Sequence, residues 1–544
     1  MKNFGHLLFF VFILILSGIF CNPAQKEQNK SNPKYGGMLK ISCLGSLEIL
    51  DPQKIVFSTD LQVASLLYEG LVQFGEKAGN IEPCLAENWQ ILDRGNRLVF
   101  TLRDNVYFHD DPCFPGGKGR KLNAGDVLYS FQRIASAQGK CPNYYLFAGK
   151  IEGIDDFHQG KNSRISGIRP LNDRKIEFRL TKPYVNFLKI LATQAAYIVP
   201  KEAVTLYAEN FPQHPVGTGP FRLIQWKQLE ALQLFRNTHY WKTDNLGQSL
   251  PYLDGLNILL ISNPMISWSE FLKGNLHLYK ATESSYLKLE KKPGFFQQYK
   301  IACKTEDFGI RFLGFSLDRA TPFARKVEVR RAIARAFHRS ELLPLKSNSR
   351  KLAESLANPL FLHSRNPKWY SFQPSRALHL IKGKKLPEIN ISSNILAKDV
   401  QVLKNSLEKI HFACTLNIRD VRYYRYIVQE RPDIFRVSFQ PSYPDPEEYY
   451  ALFYSKSSPQ INLTRYRNPK FDRLLERAMV EQDEAHRQKI FLQLEQILKA
   501  DVPALYLTCP EPAYYLIPKN VHGLAIRFGI PDLSAVWMEQ NNVP

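Results

Sequence analysis

The sequence lacks the local signatures of most enzyme and metal sites. No H-E-x-x-H or G-x-S-x-G motif occurs, and the 12 histidines do not cluster. None of the eight cysteines forms a C-x-x-C pair or stands beside histidines at zinc spacing. Because no nucleophile, base and orienting group come together, we expect a protein that is not an enzyme and that needs no cofactor and no metal.

The chain is also poor in acidic residues and has neither internal repeats nor a long low-complexity segment. It carries 51 Asp and Glu against 72 Lys and Arg, a formal net charge of +21, but the basic residues are scattered. This pattern predicts a solvated basic surface that attracts anionic solutes, anionic lipid or nucleic acid. With 544 residues, 44% of them hydrophobic, the chain is long enough for two or three domains.

The N-terminus carries an apolar run over residues 7–20, preceded by Lys2 and followed by Cys21 and a polar segment. The run is too short for a membrane span of about 20 residues and suits the core of a signal peptide. A cysteine in this place resembles a bacterial lipoprotein processing site, although Phe20 stands where a small residue is expected. We expect export and lipidation of Cys21; plain cleavage and an uncleaved anchor are the alternatives.

The turn Gly217-Thr218-Gly219 raises the question of phosphate binding. It lacks the Lys-Ser/Thr ending of a phosphate loop, and an alternating apolar strand follows it instead of a helix. We therefore interpret this turn as part of the scaffold.

Coarse patterns predict strands mixed with helices, hence α/β domains. Residues 97–109 are interpreted as a hairpin, and residues 123–136 as a helix capped by Asn123. Residues 326–343 form an amphipathic helix whose arginines are assigned to a solvated face, and residues 471–507 hold two helices and a strand. Cys113 and Cys141 are one candidate disulfide pair; most other cysteines are expected to be buried.

Nine short segments follow one another along the chain in a recognisable order. They are YEGLVQF (68–74), PCLAENWQI (83–91), FTLRDNVYFHD (100–110), NAGDVLYSFQRI (123–134), PVGTGPFRLIQW (215–226), RNTHYW (236–241), LPYLDGLNI (250–258), VEVRRAIARAFHRSELL (327–343) and NPKFDRLLERA (468–478). Together they resemble the extracellular solute-binding proteins of the oligopeptide/dipeptide ABC importer family. The resemblance runs from about residue 36 to the C-terminus.

The resemblance implies an α/β, two-lobed fold of the type II periplasmic-binding-protein kind, hinged, with an extra subdomain on the first lobe. The implied division is 1–20 signal peptide, 21–35 lipid-anchored polar tether, 36–70 plus 190–265 plus 501–544 lobe I, 71–189 extra subdomain, and 266–500 lobe II. Closure of the lobes on a ligand would be a hinge motion, for which periplasmic binding proteins are the standard example.

The resemblance also implies a function as the extracytoplasmic substrate-binding component of an ABC importer. Such a protein captures peptides or peptide-like solutes between its lobes and delivers them unchanged to permease subunits. It would lie in the periplasm or at the outer face of the envelope, anchored through Cys21, without a nucleic-acid partner. Alternatives are a binder of a non-peptide solute (modified or cell-wall peptide, oligosaccharide, haem or nickel chelate) and a basic nucleic-acid-binding regulator.

In relatives, the strand after LDPQKIVFS pairs with the peptide backbone, and aromatic and polar residues further on line the cleft. The matching residues here are Val56, Phe57, Ser58, Tyr144, Tyr145, Tyr423, Arg425 and Arg436.

The segment PDIFRVSFQPSYPDPEEYY decides the ligand chemistry. Peptide-binding relatives carry there a tryptophan, an aspartate that pairs with the peptide's ammonium, a tyrosine and a D-P pair. Here Phe439 stands for the tryptophan, Ser442 stands for the aspartate, and Tyr443 and Asp445 match. Because a hydroxyl cannot neutralise a buried ammonium, we expect ordinary free-amine peptides to bind weakly, unless the register differs and Asp445 or Glu447 supplies the acid.

Overall fold

The computed structural model of the chain describes residues 33–45, 47–56, 58–77, 79–319, 321, 326–343, 351–362, 369–419 and 422–539. The predicted signal peptide, Cys21 and Phe57 lie outside the described residues.

The strands and helices are mixed along the chain, as expected of α/β domains. The strands are β1 (Met38–Cys43), β2 (Val72–Phe74), β3 (Ile81–Pro83), β4 (Ala86–Leu92), β5 (Arg97–Leu102), β6 (Ile168–Asn172), β7 (Lys175–Arg179), β8 (Phe221–Lys227), β9 (Ala231–Arg236), β10 (Gly255–Leu260), β11 (Tyr279–Thr282), β12 (Tyr299–Thr305), β13 (Ile310–Phe315), β14 (Ile389–Ser393), β15 (Cys414–Ile418), β16 (Ile434–Phe439), β17 (Ala504–Tyr506), β18 (Ala513–Pro518), β19 (Val521–His522), β20 (Ala525–Arg527), β21 (Ile530–Asp532) and β22 (Trp537–Met538). The α-helices are α1 (Ser58–Leu67), α2 (Ala124–Ala135), α3 (Ile154–His158), α4 (Phe187–Leu191), α5 (Lys201–Tyr207), α6 (Pro264–Leu272), α7 (Glu283–Leu289), α8 (Phe295–Gln298), α9 (Val327–Ala336), α10 (Pro374–Ile381), α11 (Lys398–Glu408), α12 (Tyr423–Glu430), α13 (Pro446–Ala451), α14 (Pro469–Ala478) and α15 (Glu484–Asp501).

The larger sheets fall into two bodies. The first body contains the sheets β1-β10-β9-β8, β4-β5-β7-β6 and β11-β18-β12. The second body contains the five-stranded sheet β15-β14-β16-β13-β17, in which β14 is parallel to β15 and β16 and β13 runs antiparallel to its neighbours. The buried core of the second body is built from residues between Ile310 and Leu507, separate from the main core of the first body.

The chain crosses between the bodies at two places that lie side by side. β12 of the first body leads into β13 of the second, and β17 leads back into β18. β13 and β17 are antiparallel neighbours, with Phe312 opposite Tyr506. β11 and β12, which the sequence division gave to lobe II, pair with β18, which it gave to lobe I. The second body is thus inserted into the first through two adjacent segments.

Helix α2 forms as the sequence predicts. Asn123 accepts a hydrogen bond from the Gly125 backbone N–H, and the Asp126 carboxylate accepts one from the Asn123 backbone N–H, so the capping box is complete. Val127, Phe131 and Ile134 are buried against the sheet of β4 to β7. The predicted N-cap and apolar face are both confirmed.

The predicted hairpin over 97–109 is wrong. β5 pairs with β4 on one side and β7 on the other, so it is a central strand. The residues after it contribute only an isolated bridge between Tyr107 and Lys121. The apolar alternation was real, but a central strand and a hairpin strand share it, and only the distant partners distinguish them.

The arginines of α9 do not all face solvent, which corrects the sequence interpretation. Arg330 is buried and donates hydrogen bonds from Nε to the carbonyl oxygens of Asp501 and Val502, at 2.9 and 3.0 Å. These carbonyls lie at the C-terminal end of α15, where backbone acceptors have no intrahelical donor. The guanidinium therefore caps a second helix. The two helices and strand predicted over 471–507 are confirmed as α14, α15 and β17.

The cysteines among the described residues are free, so the candidate Cys113–Cys141 disulfide is wrong. Cys43 and Cys84 are buried, and the others are partly buried. Within the same part of the chain, none of the helices has the length and apolar character needed to cross a membrane.

The Gly217-Thr218-Gly219 turn packs against the C-terminal end of α1. A Cβ atom at Gly217 would lie 2.1 Å from the carbonyl oxygen of Leu67, far inside contact distance. The Thr218 hydroxyl donates to the buried carboxylate of Glu69 at 2.8 Å. Both groups serve packing inside the first body, as a scaffold turn should.

Candidate ligand-binding site

The candidate site lies where the β16–α13 loop of the second body meets the first body. Helix α13 begins at Pro446, and the Asp445 side chain caps it by accepting from the Glu447 backbone N–H at 3.0 Å. Tyr443 is 2% exposed and packs into the main hydrophobic core of the first body. The loop is therefore held against the opposite body by an aromatic anchor.

Asp445 is fully engaged by cations of the chain itself. Arg487 of α15 donates to both carboxylate oxygens, at 2.6 and 2.8 Å, and Lys189 of the first body approaches to 3.2 Å. Burial raises the pKa of Asp445, but Arg487 and Lys189 outweigh it and lower that pKa to about 2. Asp445 is thus a structural carboxylate that joins the two bodies.

Glu447 is also partnered. Its carboxylate accepts from the Asn186 side-chain amide of the first body at 2.8 Å and lies 3.6 Å from Arg487. The two acids that the sequence offered as substitutes for the missing aspartate therefore already pair with groups of the protein.

Glu448 differs from its neighbours. It is 1% exposed, and no Lys, Arg or His nitrogen of the described chain lies within 4 Å of its carboxylate. Its Oε2 accepts from the backbone N–H groups of Ser442 and Tyr443 at 2.6 and 3.1 Å, and its Oε1 accepts from the Tyr145 hydroxyl at 3.2 Å. Burial raises the pKa of Glu448 to about 7. A carboxyl without a counter-cation thus lies beside Ser442.

In the first body, Asn143 connects the chain before Val56 with the segment that carries Tyr145. The Asn143 side-chain amide donates to the carbonyl oxygens of Gln53 and Ile55, at 3.1 and 2.9 Å, and so fixes the chain just before Val56. Asn143 and Tyr145 share the short 3₁₀ segment Pro142–Leu146. The structure therefore links the Val56 segment, Tyr145 and the loop that carries Ser442 and Tyr443.

The remaining predicted residues have other surroundings. Tyr144 donates to Asp155 and stacks on His158 inside the first body. Tyr423 donates to the Ser392 carbonyl at 2.7 Å and accepts from the Arg436 backbone N–H at 3.0 Å.

The last four residues predicted for the ligand site are Arg436, Phe439, Ser58 and Arg425. Arg436 is buried and forms an ion pair with Asp399 at 2.9 Å, while Phe439 packs edge-on against Tyr449. Ser58 begins α1 and is exposed, and Arg425 lines a groove on the second body.

Glu448 and Asn143 were missed by the sequence reasoning. The pair Glu447-Glu448 opens an otherwise apolar stretch, EEYYALF, and acids in such a stretch are buried only with partners. That signal was available. The identity of the partner, 303 residues away, was not.

Comparisons with known proteins agree with this architecture. The sequence model of the family "Bacterial extracellular solute-binding proteins, family 5 Middle" matches residues 80–460. The dipeptide-binding protein DppE of Bacillus subtilis is 22% identical over 95% of both chains. The periplasmic oligopeptide-binding protein OppA of Salmonella typhimurium is 24% identical over 85% of both chains.

Solved structures share the fold. The periplasmic binding protein DppA from Helicobacter pylori, in complex with the peptide STSA, gives a TM-score of 0.78 at 21% identity, covering 93% of this chain and 99% of that one. The Escherichia coli murein tripeptide binding protein MppA gives a TM-score of 0.76 at 22% identity, covering 93% and 98%. The predicted two-lobed, type II-like α/β fold is confirmed, and the chain belongs to the family 5 bacterial extracellular solute-binding proteins.

Proposed function

We propose that the protein is the extracytoplasmic substrate-binding component of an ABC importer and that its cargo is a peptide or peptide-like solute with a free ammonium group. Family membership supports the transport role. The peptide cargo is supported by the similar proteins: DppE and OppA are named for dipeptides and oligopeptides, and the structure of AppA from Bacillus subtilis holds a nonapeptide.

The observation that carries the cargo proposal is the position of Glu448. It lies beside Ser442, the residue that replaces the expected aspartate, and it bridges the two bodies through Tyr145. A hydrogen bond from a hydroxyl to a carboxylate is normally about 2.5–2.7 Å, so the 3.2 Å contact to Tyr145 is loose. A carboxylate oxygen can accept from two donors, so a ligand ammonium can join or replace Tyr145 at Oε1 when the bodies close on it.

Glu448 is therefore the group that receives the ligand's ammonium. Asp445 and Glu447 cannot serve without giving up Arg487, Lys189 or Asn186. A buried carboxylate gains most from a cationic partner when no other cation is near, because desolvation is then uncompensated. The free-amine peptides that Ser442 alone would disfavour become the expected cargo.

We propose that the two crossing segments, 306–309 and 507–512, act as the hinge. Their ends are adjacent, with Thr305 opposite Ala513 and Phe312 opposite Tyr506, so a small change in their backbone angles rotates one body relative to the other. A ligand that contacts both bodies shifts the protein toward the closed form by its differential affinity for that form.

The permease subunits would recognise the closed form, and Cys21 would carry the lipid anchor at the outer face of the membrane. The mass of the mature N-terminal peptide tests the anchor: an unmodified Cys21 excludes it.

Calorimetric titration with trialanine and N-acetyl-trialanine tests the cargo. We expect trialanine to bind and both N-acetylation and Glu448→Gln to weaken binding at least about tenfold, the usual scale for losing one buried charge partner. Glu495→Gln is the matched control, because Glu495 is equally buried, has its pKa raised to about 7 and lies in the core of the second body.

Two results would contradict the proposal in different ways. If no peptide from two to five residues binds, and native mass spectrometry shows no peptide that co-purifies, the peptide cargo is wrong. If trialanine binds and acetylation or Glu448→Gln changes nothing, the cargo stands and the role of Glu448 is wrong.

A further inference from the structure

An arginine-lined groove lies on the second body and does not contain Glu448 or its partners; of the residues predicted for the ligand site, it contains Arg425. It has a volume of about 770 Å³ and is formed by α12 and by residues in or next to β13, β14, β15 and β16. Its charged lining residues are Arg319, Arg419, Arg422, Arg425, Glu430 and Asp433. All residues that line it come from the second body, whereas the candidate ligand-binding site needs both bodies.

The positive charge of the groove is only partly balanced. Asp433 accepts from Arg319 at 3.1 Å and from the Asn390 backbone N–H at 2.9 Å, so this carboxylate is engaged. Arg422 and Arg425 are exposed, and no carboxylate of the described chain forms an ion pair with either. Of the acidic residues that line the groove, Asp433 is committed to Arg319, and neither Asp433 nor Glu430 forms an ion pair with Arg422 or Arg425.

One arginine is held in a way that leaves its donors available. The guanidinium carbon of Arg419 lies 4.3 Å from the centre of the Tyr426 ring, in a cation–π contact. The Tyr426 hydroxyl in turn accepts from the Asn417 side-chain amide at 2.9 Å, which fixes the ring. This contact orients the planar guanidinium, and within the described part of the chain no side-chain hydrogen bond occupies its N–H groups, which can bind an oxyanion.

We propose that this groove binds an anion carrying two or more phosphate or carboxylate groups. Guanidinium groups match such oxyanions by paired, charge-assisted hydrogen bonds, and several arginines in one groove favour a multivalent ligand over a single anion. The volume is within the range of about 300–1,000 Å³ found for ligand pockets. A soluble polyanion and the headgroups of anionic lipid supply the same chemistry.

Calorimetric titration of the whole protein with sodium tripolyphosphate at low salt tests the proposal. We expect binding that Arg422→Gln/Arg425→Gln weakens at least about tenfold, since two charge-assisted contacts are lost. Lys291→Gln/Lys292→Gln is the matched control, because it removes two exposed charges from the first body. The control should bind as the unaltered protein does, and circular dichroism checks that both variants are folded.

A vesicle arm distinguishes the two sources of the anion. Co-sedimentation with phosphatidylglycerol vesicles, but not with phosphatidylcholine vesicles, that is lost in the arginine variant assigns the groove to lipid headgroups. Tripolyphosphate binding without vesicle binding assigns it to soluble polyanions. The proposal is overturned if neither probe binds, or if the arginine variant and the lysine control weaken equally, because the net charge of +21 then explains the attraction.

Discussion

The Tyr145 hydroxyl donates a hydrogen bond to Glu448 across 303 residues of chain, over a distance of 3.2 Å. It is a direct contact between the two bodies at the loop that carries Ser442. The carboxyl that accepts it is buried and has no cation within 4 Å among the described residues. The stability of this contact between the bodies should therefore depend on whether Glu448 is protonated.

Glu448 is expected to lower stability as the pH rises from about 4.5 to 7. Its pKa is raised from 4.5 to about 7 in the folded protein, so the folded state binds the proton more tightly over this range. The protonated Glu448 thus adds up to about 3 kcal/mol to the free energy of unfolding. This stabilisation is complete below the pKa of the unfolded state and is lost as the pH rises through the pKa of the folded state. Urea unfolding of Glu448→Gln and of the unaltered protein at pH 5 and pH 8 measures this loss. Between pH 5 and pH 8, the unaltered protein should lose about this much stability relative to the variant.

The difference between the two proteins is needed because other groups titrate nearby. The pKa of His109 is lowered to about 4 by burial, so His109 contributes a rise in stability with pH between about 4 and 6.5. Glu495, with a pKa raised to about 7, contributes a fall like that of Glu448. A difference that stays constant from pH 5 to pH 8 would show that Glu448 does not change its protonation there.

Asp445→Asn is expected to destabilise the protein by about 3 kcal/mol, because Arg487 loses a buried carboxylate partner that it holds with two hydrogen bonds. Urea unfolding at pH 7 measures the loss. Asp93→Asn is the control: it breaks the exposed pair with Arg97 and should leave the unfolding free energy unchanged. Equal effects of the two variants would show that the pair with Arg487 does not stabilise the interface.

Gly217→Ala is expected to destabilise the first body by about 3 kcal/mol, since the added methyl would lie 2.1 Å from the Leu67 carbonyl oxygen and the backbone must move. Gly139→Ala is the control, because its nearest new contact is 3.3 Å from the Arg133 carbonyl oxygen. Thermal unfolding compares them. A melting temperature for Gly217→Ala equal to that of the control would mean that the turn has room for a side chain.

Arg330→Gln is expected to cost about 2 kcal/mol, because the charge-assisted hydrogen bonds to the Asp501 and Val502 carbonyls are lost in a buried place. Arg376→Gln, an exposed position on α10, is the control and should have no effect. Should both variants unfold at the same urea concentration, Arg330 would belong to the solvated face that the sequence pattern indicated.

Local patterns predicted those parts of the fold that local interactions determine. The cap and apolar face of α2 follow from Asn123 and a helical period, and both are present. The role of Arg330 did not follow from its own helix, because the carbonyls it caps come 171 and 172 residues later. The same reason explains the hairpin error at β5.

The candidate site was predictable by region and not by residue. The loop with Ser442, Tyr443 and Asp445 does lie at the contact between the bodies. The sequence showed Asp445 and Glu447 as free acids, whereas the fold pairs them with Arg487 and Asn186. Which of three acids within four positions lacks a cation depends on side chains brought from the other body, and no spacing rule contains that information.

The strand order β11-β18-β12 has a consequence for synthesis on the ribosome. β11 and β12 are translated before residue 310 and stay unpaired in their sheet until β18 emerges, after the whole insertion up to Leu507 has been made. Since domains fold as units while the chain is being made, the second body can form its core before β18, the middle strand of the sheet β11-β18-β12, is translated. A nascent chain that stops before residue 513 therefore contains a folded second body within an incompletely folded first body.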